Sequence, residues 1–369
     1  MADGSALEML VRRSPWRGRR VLVTGHTGFK GSWLCLWLHQ LGAEVTGLAL
    51  PAPTDPSLFE QARVADLIRH VEADVRDAAA VDRVVAGAKP EVVFHLAAQP
   101  LVRYSYDHPV ETYATNVMGT AHVLDACRRA DSVQAVVCVT SDKCYENREW
   151  VWPYRESDPM GGHDPYSSSK GAAELVISAY RRSYFQTGAR IASARAGNVI
   201  GGGDWALDRL VPDIIRAMLA GEPPLIRSPQ SVRPWQHVLD ALGGYLLLAE
   251  KLLEGGGEYA SGWNFGPSED DTRPVHYVVE QLQSAWGVQG WESPADPQRH
   301  EAVQLRLDSS KARTALGWAP VMGLDEALAI TAEWHKAVGG GQDAREVSLR
   351  QIGDYMNKGT GMIGQLQCA

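Results

Sequence analysis

The chain has 369 residues, 45% of them hydrophobic, enough to bury a large core and to form two lobes. Its formal net charge of -8 argues against a nucleic-acid partner, because polyanion binders present a basic surface, whereas a small anionic ligand needs only a local positive pocket. The five cysteines, Cys35, Cys127, Cys138, Cys144 and Cys368, are odd in number and lack metal-ligand spacing, so no metal is expected and a reducing cytoplasm is the natural setting.

Residues 1–18 read as a basic leader, packed on the surface or disordered; Arg12, Arg13 and Arg17 lie in it without the apolar core of a signal peptide. The first strand and helix follow in Val21–Gly31, where an apolar run ends in Gly25, Gly28 and Gly31 and enters Ser32–Leu38. A strand, a tight glycine turn and a helix bring backbone N–H groups at a helix N-terminus close to a pyrophosphate, the logic of dinucleotide binding. His26 stands inside this turn and is expected to crowd the pyrophosphate. The second strand, Glu44–Leu50, runs into Pro51–Thr54 without the acidic residue that commonly receives ribose hydroxyls, which predicts weak cofactor binding. Further strands are expected at Glu91–Gln99 and at Val136 onward, the latter ending in Ser141, Asp142 and Lys143.

Asp164–Lys170 looks like a helix start. Tyr166 and Lys170, one turn apart, would share a face, and the ammonium would lower the phenol pKa toward the working pH. Strands and helices alternate to about Asn198, the rhythm of a doubly wound parallel sheet of Rossmann type. After Gly201–Gly203 prolines break the pattern, which suits a smaller C-terminal α/β substrate-binding lobe. The expected division is 19–198 for the cofactor, with returns near 235–267, then 199–234 and 268–337 for the substrate lobe and 338–369 as a tail that wanders after Gly339–Gly341. The most apolar stretch, Tyr245–Glu250, is too short and too charged to span a bilayer, so no membrane partner is expected.

Together these motifs resemble the extended, nucleotide-sugar-modifying branch of the short-chain dehydrogenase/reductase superfamily. Within it, Gly25–Trp33, Ala97–Arg103, Thr140–Tyr145, Arg195–Trp205 and Arg233–His237 are similar to the 4,6-dehydratases that act on CDP-glucose. The resemblance covers about Val21 to Pro320. It implies NAD as the cofactor, CDP-glucose as the small-molecule substrate, a place in deoxysugar biosynthesis, and a homodimer or homotetramer packed through helices around Pro109–Ala126 and Ser167–Gln186.

By the same resemblance Gly25, His26, Thr27, Gly28, Phe29, Lys30 and Gly31, together with Asp74, Val75, Leu96, Ala97, Ala98 and Gln99, would contact the cofactor, joined by Tyr166 and Lys170. Arg103, Asn198, Arg233 and His237 would face the substrate, and Ser141, Asp142, Lys143, Tyr166 and Lys170 would carry the chemistry. Removing water across C5 and C6 of glucose first requires C4 to become a ketone, because only then is the C5 proton acidic. Asp142 and Lys143 are candidates for the acid and base of the elimination; relatives that use dTDP-glucose carry Asp-Glu there, and a lysine acts as base only when its pKa is depressed by several units. A 4-epimerase would share the oxidation but needs no such pair, and a silent dinucleotide-binding scaffold would need neither.

Overall fold

The computed structural model describes residues 14–293 and 304–366. Arg12, Arg13 and Cys368 lie outside the described residues. Strand β1 (Arg20–Thr24) is flanked on both sides by parallel neighbours, β2 (Glu44–Ala49) and β4 (Val92–His95), and is covered on both faces, so its sequence is an unbroken apolar run rather than an alternation. Beyond β2 lies β3 (Arg69–Glu72); beyond β4 lie β5 (Ala135–Val139) and β6 (Arg190–Ala196). With a late strand, β9 (Gly262–Phe265), at the far edge, the order β3-β2-β1-β4-β5-β6-β9 makes a seven-stranded parallel sheet that reverses direction of travel between β1 and β4, the point where open α/β sheets bind ligands. The expected Rossmann class is the one observed.

The seventh strand, β9 (Gly262–Phe265), arrives late in the chain and pairs with β6, Ala194 opposite Trp263. Helix α1 (Phe29–Gln40) is buried over its whole run from Gly31 to Leu38, as expected of a helix apolar all round. A long helix expected near Pro109–Ala126 is present with a wider turn inside it: Pro109–Tyr113, a π-type turn at Ala114–Met118, then Gly119–Arg128. The turn swings Asn116 inward, where its amide donates to the Gln99 carbonyl at 3.1 Å and to Ser169 Oγ at 2.8 Å. Helix α2 (Pro165–Tyr184) begins with Pro165 in its first turn and Asp164 as cap, accepting from Ser167 N at 2.9 Å.

The remaining strands, β7 (Asn198–Ile200), β8 (Val232–His237) and β10 (Thr272–Pro274), form a small separate sheet around which Ile214, Trp235, Val278 and Leu328 cluster. After Gly339 the chain does not wander. Gly341, at φ 93°, reverses it, Asp343 accepts from the backbone N–H of Arg345 at 2.8 Å, and a helix runs over Ala344–Leu366 against α1. A glycine run is both a linker signal and a tight-turn signal; the capping aspartate decides for the turn. Cys35, Cys127, Cys138 and Cys144 are all free and buried.

Candidate active site

A cleft of about 940 Å³ opens above the C-terminal ends of β1, β4 and β5 and continues into the small lobe. That is at the upper end for a single-ligand pocket and suits two elongated ligands. On one side is the glycine turn. Gly25 sits at φ 75°, and a Cβ on it would lie 2.7 Å from the backbone N of Ala97; one on Gly31 would lie 2.2 Å from the Gly25 carbonyl. A Cβ on Gly28 would meet only the Gly25 carbonyl, at 3.4 Å. No side chain caps α1 at Gly28, so its first N–H groups are left for an anion. Thr27 Oγ1 ties the turn to the end of β2 through the Leu50 carbonyl at 2.9 Å. Thr27, Phe29 and Lys30 line the cleft, as do Asp74, Val75, Leu96, Ala97 and Ala98.

Three expectations for this side need correction. The ring of His26 does not crowd the turn. It is fully buried on the far side, over Gly47, where a Cβ would come within 2.4 Å of it, and its Nε2 pairs with His70 Nδ1 at 2.7 Å. Burial, then the neighbouring His70, brings its pKa down to about 4, so the ring is neutral. Gln99 turns away too, clamping its own loop: its side chain accepts from Leu101 N at 2.5 Å and donates to Thr112 Oγ1 at 2.9 Å. Finally, an acid does follow the second strand, later than the usual spacing places it: Asp55 lines the cleft beside Pro53 and Thr54. Asp74 is itself engaged, since burial of its carboxyl is outweighed by hydrogen bonds from Arg76 and its pKa stays low.

At the floor, β5 ends and Ser141 opens a short turn over Asp142–Cys144, accepting from Lys143 N at 3.2 Å and donating to Asp142 Oδ1 at 3.0 Å. Ser141, Asp142, Lys143, Tyr166 and Lys170 all line the same cleft. Burial raises the pKa of Asp142, against the pull of Lys143, Ser141, Arg233 and Lys30, and its Oδ2 is buried without a partner. Burial also lowers Lys170 to about 8. Tyr166 departs from expectation: burial pushes its phenol up to about 12, opposed by a hydrogen bond with Ser141 and the charge of Arg209. Desolvation of the phenolate outweighs the cations here.

Asn198 and Arg233 line the cleft from β7 and β8, and Arg103 reaches across its mouth to Asp208 at 3.6 Å. His237 does not take part. It is fully buried at the N-terminus of the helix Val238–Leu253, where Nδ1 accepts from Leu239 N at 3.3 Å, and burial holds its pKa near about 3. No group of three or more His, Cys, Asp or Glu side chains among the described residues could hold a metal ion.

The sequence profile described as the NAD dependent epimerase/dehydratase family matches residues 21–262. The chain belongs to this family. It is 52% identical over 358 residues to a CDP-glucose 4,6-dehydratase of Salmonella typhimurium, covering 95% of this chain and 100% of that protein. Among solved structures, the dTDP-glucose 4,6-dehydratase DesIV of Streptomyces venezuelae with NAD and TYD bound aligns with a TM-score of 0.74 at 25% identity, over 88% of this chain and 99% of that one. A UDP-glucose 4-epimerase of Thermus thermophilus in complex with NAD gives 0.75 at 26% identity, over 86% and 99%.

The part of this epimerase/dehydratase site that sequence reasoning missed is its charged far wall. Arg209 pairs with Asp204 at 3.1 Å, Arg227 with Asp208 at 3.1 Å and with Asp213 at 3.8 Å, and Arg216 with Asp213. All six line the cleft. The only signal is the alternation of Asp204, Asp208, Arg209, Asp213 and Arg216; the prolines suggest a loop throughout, but Leu210–Ala220 is a helix with Pro212 in its first turn, where the missing N–H costs nothing.

Proposed function

We propose that this protein is a CDP-D-glucose 4,6-dehydratase that forms CDP-4-keto-6-deoxy-D-glucose with NAD as its resident cofactor. The observation that carries the reading is the pair Asp142–Lys143 at the end of β5, in one cleft with Ser141, Tyr166 and Lys170. An epimerase has no use for an acid and base at C5 and C6. The end-to-end similarity to a CDP-glucose 4,6-dehydratase supports cytidine as the base.

In this reading residues 19–198, with the return near 235–267, hold the cofactor, and 199–234 with 268–337 hold the sugar nucleotide. The glycine cradle fits a pyrophosphate, with Phe29 and Lys30 at the start of α1 offering backbone N–H groups. NAD held there would supply a hydride acceptor for oxidation at C4 and, once reduced, a hydride donor for C6. Tyr166 takes the O4 proton, Ser141 donates to O4 and then to the C4 carbonyl, and Lys170 supports the phenolate. With C4 a ketone, Lys143 removes the C5 proton while Asp142 gives its proton to O6, which leaves as water. Lys143 then returns a proton to C5. The raised pKa of Asp142 suits a donor, and its unpartnered Oδ2 is available to hold the proton. For Tyr166 to act as base, its pKa must fall from about 12, and the charge of Arg209 works in that direction.

Arg103, Arg233, Arg209, Arg216 and Arg227, with the amide of Asn198, line the wall that would receive the diphosphate. Exposed Val110, Tyr113 and Met118, with Leu175 and Tyr184 on α2, suit packing against a second copy in a homodimer or homotetramer. Four free buried thiols fit the cytoplasm, and no described helix is long and apolar enough to cross a membrane. The test is mass spectrometry of products from a panel of nucleoside-diphosphate glucoses. Loss of one water from CDP-glucose alone is expected; unchanged mass with inversion at C4 would make this an epimerase, and binding without turnover a scaffold.

A further inference from the structure

Beneath the cleft lies an ion pair that the chemistry above does not use. Glu174 is one helical turn beyond Lys170 and two beyond Tyr166 on α2, and its carboxylate points into the sheet rather than into the cleft. It accepts from Thr140 Oγ1 at 2.5 Å, from Ser193 Oγ at 2.8 Å, and from Arg195 Nε and Nη2 at 2.9 and 2.7 Å. The acceptor sites of a carboxylate are then full. Arg195 in turn donates through Nη1 to the Tyr145 hydroxyl at 2.8 Å, which donates to Asn264 Oδ1 at 2.6 Å. Glu174 and Arg195 are both buried.

Thr140 and Tyr145 are the residues on either side of the Ser141–Cys144 turn. Strand β5 ends at Val139, and the bond from Thr140 N to the Ala194 carbonyl at 2.9 Å is the last ladder-like contact before the chain leaves the sheet. Both flanks of the turn are therefore pinned by one ion pair, which also belongs to the helix that carries Tyr166 and Lys170. A buried ion pair contributes little net stability compared with apolar residues of the same shape. Its use lies in geometry.

We propose that Glu174 and Arg195 are positioning residues: through Thr140 and Tyr145 they fix the Ser141–Asp142–Lys143 turn against the Tyr166–Lys170 helix. This rests on the catalytic roles assigned above. A second consequence concerns charge. Lys170 is held low by burial, and Glu174 is among the groups that pull it back up. Removing the carboxylate while Arg195 remains would lower Lys170 further, so the ammonium would be lost at a lower pH.

Thr140→Val removes the link to the turn and leaves the ion pair in place; Glu174→Gln removes the charge. Thr140→Val should keep its thermal midpoint within a few degrees and bind CDP, measured calorimetrically on cofactor-free protein, as the parent does. Its single-turnover C4 oxidation and C5 exchange from heavy water should both slow by about 10–10²-fold, the scale of a misplacement of ~1 Å, and Thr140→Ser should restore them. Glu174→Gln should move the alkaline limb of the oxidation profile toward acid, while Thr140→Val leaves it in place. Parental rates in Thr140→Val, or losses that merely follow the thermal midpoint, would overturn the proposal even if Glu174→Gln fails to fold. The catalytic reading fails separately, if Tyr166→Phe turns over normally.

Discussion

The wall of the cleft that faces the cofactor is made of backbone, and the wall that faces the sugar nucleotide is made of charge. On the first, Gly25 and Gly31 let chain segments touch where any side chain would collide, and the buried imidazole of His26 is neutral. On the second, three arginines and three aspartates hold one another across a loop and the helix Leu210–Ala220 that follows it. A backbone cradle admits one shape and tolerates no side chain at Gly25 or Gly31. A lattice of paired charges is worth little until a ligand enters, since each arginine already has a carboxylate and must exchange it for phosphate.

The floor between the two walls should give the largest effects. Lys143→Met should still oxidise C4, because Ser141, Tyr166 and Lys170 are untouched, but C5 deuterium exchange and product should fall by about 10²–10⁴-fold, the usual worth of a general base. Asp142→Asn should retain more exchange than Lys143→Met. Native exchange in Lys143→Met would mean that the base lies elsewhere.

The backbone wall comes next. Gly25→Ala should abolish NAD binding in a titration and lower the thermal midpoint, because the left-handed φ and the 2.7 Å approach to Ala97 both forbid a Cβ. Gly28→Ala should spare the midpoint and weaken NAD alone. If both variants behave alike, the cradle is merely structural. On the charged wall, Arg227→Met should leave NAD affinity intact and weaken CDP by about tenfold, in line with ~1.5–3 kcal/mol for a charge-assisted hydrogen bond discounted for partial exposure. An equal loss of NAD affinity would erase the distinction between the walls.

The smallest effect is on stability. His26 titrates near about 4, and His95 and His237 near about 3, all depressed by burial from an ordinary value near about 6.5. Below pH about 6.5 the unfolded chain takes up protons that the folded chain refuses, so stability is full above that pH. It is lost progressively as pH falls, toward about 4 for His26 and toward about 3 for His95 and His237. Denaturant midpoints across this range should decline on the acid side, and His26→Asn should flatten part of the slope.

Spacing made part of this molecule legible and distance hid the rest. Tyr166 with Lys170, and Gly25 with Gly28 and Gly31, are set by one helix and one turn, where sequence separation fixes geometry. The direction of the His26 ring depended on Gly47 and His70, both on strands of the same sheet yet far along the chain. His237 was read with its motif as a ligand contact, but the helix that begins after it claims the ring as a cap. The phenol of Tyr166 was expected low because a lysine follows by one turn; its full burial could not be read from that spacing. The partners of Glu174 come from the end of β5 and from β6, and nothing local announces them.

The late arrival of β9 and of the helix Ala344–Leu366 has a consequence for synthesis on the ribosome. When the first six strands have emerged, β6 still has an open edge, and α1, apolar around its whole circumference, still lacks its outer cover. The nascent protein must carry that unpaired edge through roughly 65 further residues, until β9, and the incompletely covered helix through roughly 150, until Ala344–Leu366, at about 5–20 residues per second. Chaperone demand during translation should accordingly peak after β6 and end only with the last helix, and a ribosome stalled between the two would hold a sticky half-sheet instead of a folded first domain.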